Sequence, residues 1–187
     1  VIIDDVWTAE LLLDEGANIS ARDQGGRTPL IRAVQCGAFN VAKLIIDNSI
    51  HDFFHLDMAD NHGINALCVA AASGDDSLVT MLLKNGTNPF MYPTTSNIRS
   101  AVHWASNTSA SQNISDSMRR TLKLLFYVEN HILTTGMSTE NKDGIYERNC
   151  ADAHHKNSKA AAEFFNSMPS DDRVSLMVHC IDRYDQD

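Results

Sequence analysis

No apolar run in the 187-residue chain comes near the ~20 residues that span a bilayer; Leu11 to Leu13 and Leu124 to Val128 are typical of the longest. No membrane span is therefore expected. Positive charge is also scarce. Fifteen Lys and Arg against 24 Asp and Glu leave a formal charge of −9, which disfavours broad attraction to phosphates, so neither nucleic acid nor an anionic membrane surface is an expected partner. The four cysteines, Cys36, Cys68, Cys150 and Cys180, form no CxxC pair and point to reduced thiols in a cytosolic setting rather than a disulfide framework. Val1 to Trp7 lack the basic start of a secretory signal, and a chain opening on Val1 is expected to be an excerpt. Catalytic signatures are missing as well: there is no GxSxG elbow, and Gly25-Gly26 lacks the lysine of a phosphate-gripping loop. What is present, 43% apolar and 21% charged residues, is ordinary globular usage at a length that suits one domain with at most a modest appendage.

The chain repeats itself. Laid over the segment from Asp60, the segment from Asp23 places Asp23, Gly26, Thr28, Leu30, Ala33, Gly37, Val41 and Leu44 to Ile46 on Asp60, Gly63, Asn65, Leu67, Ala70, Gly74, Leu78 and Met81 to Leu83. The residues have local reasons to recur. Thr28 caps a helix, and Pro29 sits in its first turn, where its missing N–H leaves nothing unsatisfied. Gly37 permits the return to a second helix, and Gly86, like Gly16 before it, can end a helix in the left-handed conformation.

Thr28-Pro29-Leu30-Ile31-Arg32-Ala33 resembles the T-P-L-H-x-A start of the ankyrin repeat, and Leu11-Leu12-Leu13-Asp14-Glu15-Gly16-Ala17-Asn18 resembles the close of its second helix. The resemblance implies an all-α solenoid of stacked antiparallel helix pairs joined by β-turns. Residues 1–168 form the array: a partial repeat over 1–22, repeats over 23–59, 60–94 and 95–140, and a degenerate repeat over 141–168. In the third, Ile98 takes the glycine place, Ser106 to Ser117 reads as an inserted loop, and the second helix covers Met118 to Glu129. In the fourth, Tyr146 and Glu147 replace the Thr-Pro start. After Pro169, residues 169–187 form a C-terminal capping helix, with Ser170 as cap and Val174, Met177, Val178 and Ile181 at helical spacing. Leu30, Ala33, Val41, Leu44, Leu67, Ala70 and Leu82 are expected in the core.

Functionally, the resemblance implies a noncatalytic, monomeric module that binds a partner protein or peptide on the concave face made by the turns and first helices, with no cofactor and no metal. Aligned position picks out Gln24, Arg27, Gln35 and Cys36 in the first full unit, and Asn61, His62, Ile64, Ala72 and Ser73 in the second. Ser96, Asn97, Arg99, Asn107 and Thr108 follow in the third. The setting is intracellular and cytoplasmic; delivery of a secreted effector into a host cell is left open. The principal alternative is that the array targets a larger enzyme or host-directed effector whose active domain lies outside the chain.

Two features stand apart from the repeat. The first unit is longer than the usual ~33 residues, and the surplus falls in Ser49 to Met58, where Phe53 and Phe54 either tuck over the second helix or stand out as a partner anchor. In that segment His51-Asp52-Phe53-Phe54-His55 has the spacing of an HExxH zinc site with Asp for Glu, a remote hydrolase reading without a third ligand. Cys150 with His154 and His155 likewise lacks a fourth partner. The sequons at Asn85, Asn107 and Asn113 fit chance occurrence.

Overall fold

The computed structural model describes residues 4–49, 54–90, 101–108, 115–137 and 168–184. Among them are nine helices and no strand: α1 (Val6–Asp14), α2 (Pro29–Gln35), α3 (Phe39–Asp47), α4 (Phe54–Asp57), α5 (Ala66–Ser73), α6 (Asp76–Lys84), α7 (Ala101–Thr108), α8 (Asp116–Met137) and α9 (Ser170–Tyr184). The helix starts follow from capping chemistry. Thr28 Oγ1 accepts from the Ile31 N–H at 3.3 Å with Pro29 next in line, and Asn65 Oδ1 does the same for the Cys68 N–H at 2.9 Å. Asp5 and Asp75 cap α1 and α6 through the N–H groups of Thr8 and of Ser77 and Leu78. The expected left-handed glycines are observed, at φ +67° for Gly37 and +82° for Gly86.

Helices of seven to nine residues are too short to hold themselves in water, so packing decides. α2 lies against α3, α5 against α6 and α7 against α8, while α2, α5 and α7 pack in succession as a layer of first helices. Leu30, Ala33, Leu67, Ala70 and Leu82 are all buried. Ala33 and Ala70 are the small residues that let neighbouring helices approach closely. Two residues expected in the core, Val41 and Leu44, are half-buried instead. On α3 the buried face is Ala42, Ile45 and Ile46, one helical step round from the predicted stripe.

Beyond Lys84 the chain departs further from expectation. The third unit's second helix, α8, begins at Asp116 and runs to Met137, past the predicted Glu129. Its start is fixed by Ser115 Oγ, which accepts from the Met118 N–H at 3.1 Å, and by the Ser117 hydroxyl, which lies 2.6 Å from the Gly74 carbonyl oxygen and 2.7 Å from Asp76 Oδ1. Gly74 (φ +69°) is also where α8 approaches closest: an added Cβ would meet Met118 Cε at 2.8 Å and its Cα at 3.1 Å. The ends of the predicted Ser106 to Ser117 loop are thus helical, α7 reaching Thr108. The degenerate unit over 141–168 lies outside the described residues apart from Met168.

The last helix starts at Ser170, which is its first helical residue rather than its cap. Met177, Cys180 and Ile181 are buried, while Val174 and Val178 are half-buried. α9 lies across α6 and α8, and Arg173 reaches Asp57 of α4 at 3.9 Å while Asp182 reaches Lys84 of α6 at 3.9 Å. Tyr127 and His131 of α8 meet Tyr184 and His179 of α9. The helix therefore covers second helices from more than one unit. Asp57, which also accepts the Asn88 N–H at 2.8 Å, is enclosed by this contact, and burial pushes its carboxyl up to about 6 against the pull of Asn88 and Arg173.

Candidate partner-binding surface

The two full turns are built by the same backbone pattern. In the first, the Asp23 N–H donates to Arg27 O at 3.0 Å and the Gly26 N–H to Asp23 O at 2.8 Å; in the second, the Asp60 N–H donates to Ile64 O and the Gly63 N–H to Asp60 O, both at 2.9 Å. Each aspartate closes its turn from inside. Asp23 Oδ1 accepts the N–H groups of Gly25 and Arg27, and Asp60 Oδ1 those of His62 and Ile64. Asp23 does more: its Oδ2 accepts from Nε of both Arg27 and Arg32 at 3.0 Å. The Arg27 N–H first, then Gly25 and the Arg27 charge, hold the Asp23 carboxyl below the usual carboxylate range.

Neighbouring turns are joined. The Asn61 N–H donates to Gly25 O at 3.0 Å and its amide nitrogen to Gln24 O at 3.2 Å, while an Arg22 nitrogen donates to Ala59 O at 2.6 Å. Asn61 leaves no room for a side chain at Gly26, whose φ of +75° already suits glycine. A different link joins the starts of two second helices: Asp4, just ahead of α1, accepts the N–H groups of Val41 and Asn40 in the first turn of α3, which lower its carboxyl pKa.

On this frame Gln24, Asn61 and His62 are exposed at the turns, and Gln35, Cys36 and Ser73 are exposed at the ends of α2 and α5. Arg27, Ile64 and Ala72 are half-buried. Arg27 is engaged by Asp23, and the Ser73 hydroxyl donates to Ala70 O at 2.9 Å. Ser96, Asn97 and Arg99 lie outside the described residues. Asn107 and Thr108 fall in the last turn of α7. The sequence reading missed His103, which is exposed on α7 at the place where Cys68 is buried on α5. Cys68 is covered because α7 packs on α5; among the described residues no further first helix stands beyond α7. Alignment of Ser100 to Ala105 on Thr28 to Ala33 holds the signal that a polar residue occupies an otherwise apolar site.

The residues weighed for chemistry are not assembled among the described residues. His55 Nδ1 lies 2.5 Å from Ser20 Oγ, and His51, Cys150, His154 and His155 are outside the described residues. Among the described residues no three His, Cys, Asp or Glu side chains converge as metal ligands, and no helix is long and apolar enough to cross a membrane. Burial pushes the thiols of Cys68 and Cys180 up to about 12 and about 11, so both stay protonated and unreactive at neutral pH.

Comparison with known proteins reaches the same architecture. Residues 3–92 match the family of ankyrin repeats in three copies. The chain is similar to the neurogenic locus notch homolog protein 2 of human and of mouse, 34% identical over 97 residues in each case. That match covers 52% of this chain but 4% of each relative's length. Capped helix pairs, duplicated aspartate-locked turns and this match agree: residues 3–92 carry ankyrin repeats.

Proposed function

We propose that the array binds a partner protein or peptide, without chemistry of its own, across the two turns and the exposed ends of α2 and α5. The observation that carries this reading is Asn61, which bonds both Gly25 and Gln24 and so makes one surface of two turns. A preorganised surface binds without first spending free energy on ordering its loops. Gln24 and His62 at the turns, with Gln35, Cys36 and Ser73 behind them, supply polar contacts, and half-buried Ile64 and Ala72 supply an apolar floor. Arg27 shapes the turn through Asp23 more than it reaches outward. A net charge of −9 favours a protein partner over nucleic acid. The partner is met inside a cell, where exposed Cys36 stays reduced, by a monomer.

A peptide selected against the chain from a display library tests this. Replacing Gln24, Gln35 and His62 together with alanine should weaken its binding at least about tenfold, the sum of several contact losses, with melting unchanged. Unchanged affinity in the folded variant would move the site elsewhere.

A further inference from the structure

Charge is divided unevenly between the two sides of the array. Of the second-helix stretches, 4–15 carries Asp4, Asp5, Glu10, Asp14 and Glu15 with no cation, and neither 37–49 nor 74–85 has cations in excess. The turn and first-helix stretches 20–36 and 59–73 reverse the balance, with Arg22, Arg27 and Arg32 against Asp23 and Asp60. Both of those carboxylates are engaged in holding the turns. Asp60 Oδ1 takes the N–H groups of His62 and Ile64, while Asp23 gives Oδ1 to Gly25 and Arg27 and Oδ2 to Nε of Arg27 and of Arg32. Two guanidinium groups therefore meet at one carboxylate oxygen, each 3.0 Å from it, and one positive charge is left over. Each spends only its Nε there. Their terminal amino groups have no acceptor among the described residues, and the Arg32 side chain is 43% exposed. Arg22, exposed and adjacent to Asp23 in sequence, bonds Ala59 O through one nitrogen and adds a further cation. The other exposed turn residues, Gln24, Asn61 and His62, bring no anion.

We propose that the partner segment bound on this surface is acidic, and that one of its Asp or Glu side chains docks on the terminal guanidinium nitrogens of Arg27 and Arg32. Acidic preference presupposes the proposed binding role of the turns and adds the chemistry of what they bind. A surface with donors and positive charge in surplus needs acceptors and negative charge from its partner, and a planar guanidinium fork matches a carboxylate in two parallel hydrogen bonds. Asp23 holds both forks in place before the partner arrives, so less side-chain freedom is lost on binding. A peptide suits the patch better than a nucleic-acid strand does. A carboxylate within about 8 Å of the arginines feels them through physiological salt. A strand carries a charge on every nucleotide, and three arginines in a chain of net charge −9 neutralise few of them.

Dodecapeptides selected against the chain from a random display library test this. Asp and Glu should be at least about twice as frequent in the recovered peptides as in the unselected library, and raising NaCl from about 0.05 to 0.5 M should weaken a recovered peptide at least about tenfold. Arg22→Gln with Arg32→Gln, which spares the turn-shaping Arg27, should weaken it at least about tenfold too. The same double variant should move the melting temperature by less than about 2 °C, since exposed ion pairs add little stability. Replacing the peptide's own acidic residues with Asn or Gln should cost as much, and the two losses should not add. Should the double variant fail to fold, that peptide series against the unaltered chain still decides. Recovered peptides that shift the amides of Gln24 and His62 yet hold no excess of acid, or that keep their affinity after losing it, overturn the acidic preference and leave the binding role of the turns intact. Peptides that shift only amides of α8 and α9 overturn that role, and the acidic preference falls with it. A single-stranded oligonucleotide that displaces the peptide at equal concentration overturns the proposal as well, because the occupant would then be a phosphate chain.

Discussion

The turn side and the second-helix side of the array are held together by different means. On the turn side the contacts stay within one turn or join it to the next: Asp23 and Asp60 each close their own turn, and Asn61 joins the two. On the second-helix side the contacts from α9 occur once and span the chain, as Arg173 to Asp57 and Asp182 to Lys84 do. The turn side can therefore vary its exposed residues without loss of form, which is what a recognition surface needs. The second-helix side is committed to stability.

The largest effects should come from the sealed layers. Leu82→Ala is expected to cost about 2–5 kcal/mol, and Ile181→Ala a similar amount through α9. In urea titrations both should lower the midpoint, while affinity for a selected peptide stays within about twofold for the Ile181 variant. Loss of binding on repacking α9 would erase the distinction between the two sides.

Next in size is a pH effect confined to the second-helix side. The folded carboxyl of Asp57 titrates at about 6 against 3.8 for the ordinary group. Its proton-linked stabilisation is thus fully present below 3.8 and is lost as pH rises through about 6, by at most roughly 3 kcal/mol. Thermal melts of the wild type and Asp57→Asn between pH 4 and 7 should therefore shift relative to each other, the wild type losing ground as pH rises. A constant difference across that range would contradict the burial of this carboxyl.

The turn side should respond less. Gly26→Ala is expected to cost about 1–3 kcal/mol from backbone strain and the collision with Asn61. Adding Asn61→Ala should recover part of the loss, a coupling that a double-mutant cycle measures. Asn65→Ala should cost about 1 kcal/mol by uncapping α5, and its melting curve should match that of Thr28→Ala on α2.

This division also explains what the sequence made legible. Asp23, Gly26 and Thr28 on Asp60, Gly63 and Asn65 obey local rules of turns and caps, so the helix starts could be read directly. The role of Arg27 could not, because exposure is a property of the folded turn, where Asp23 claims its guanidinium. Val41 and Leu44 were misjudged because repeat alignment fixes which residues correspond, not which way the shared stripe faces. The length of α8 was hidden by Glu129, a buried charged residue at which the apolar pattern breaks before it resumes at buried Ile132. The seat of α9 rests on pairs more than fifty residues apart, for which no spacing rule exists.

The most direct measurement of where recognition happens is a map of backbone amide chemical shifts as a selected peptide is titrated into the labelled chain. The account predicts that the perturbed amides cluster at Gln24, Gln35, Cys36, His62 and Ser73, with those around Phe126, His179 and Arg183 unmoved. A cluster on α8 and α9 with silent turns would contradict it.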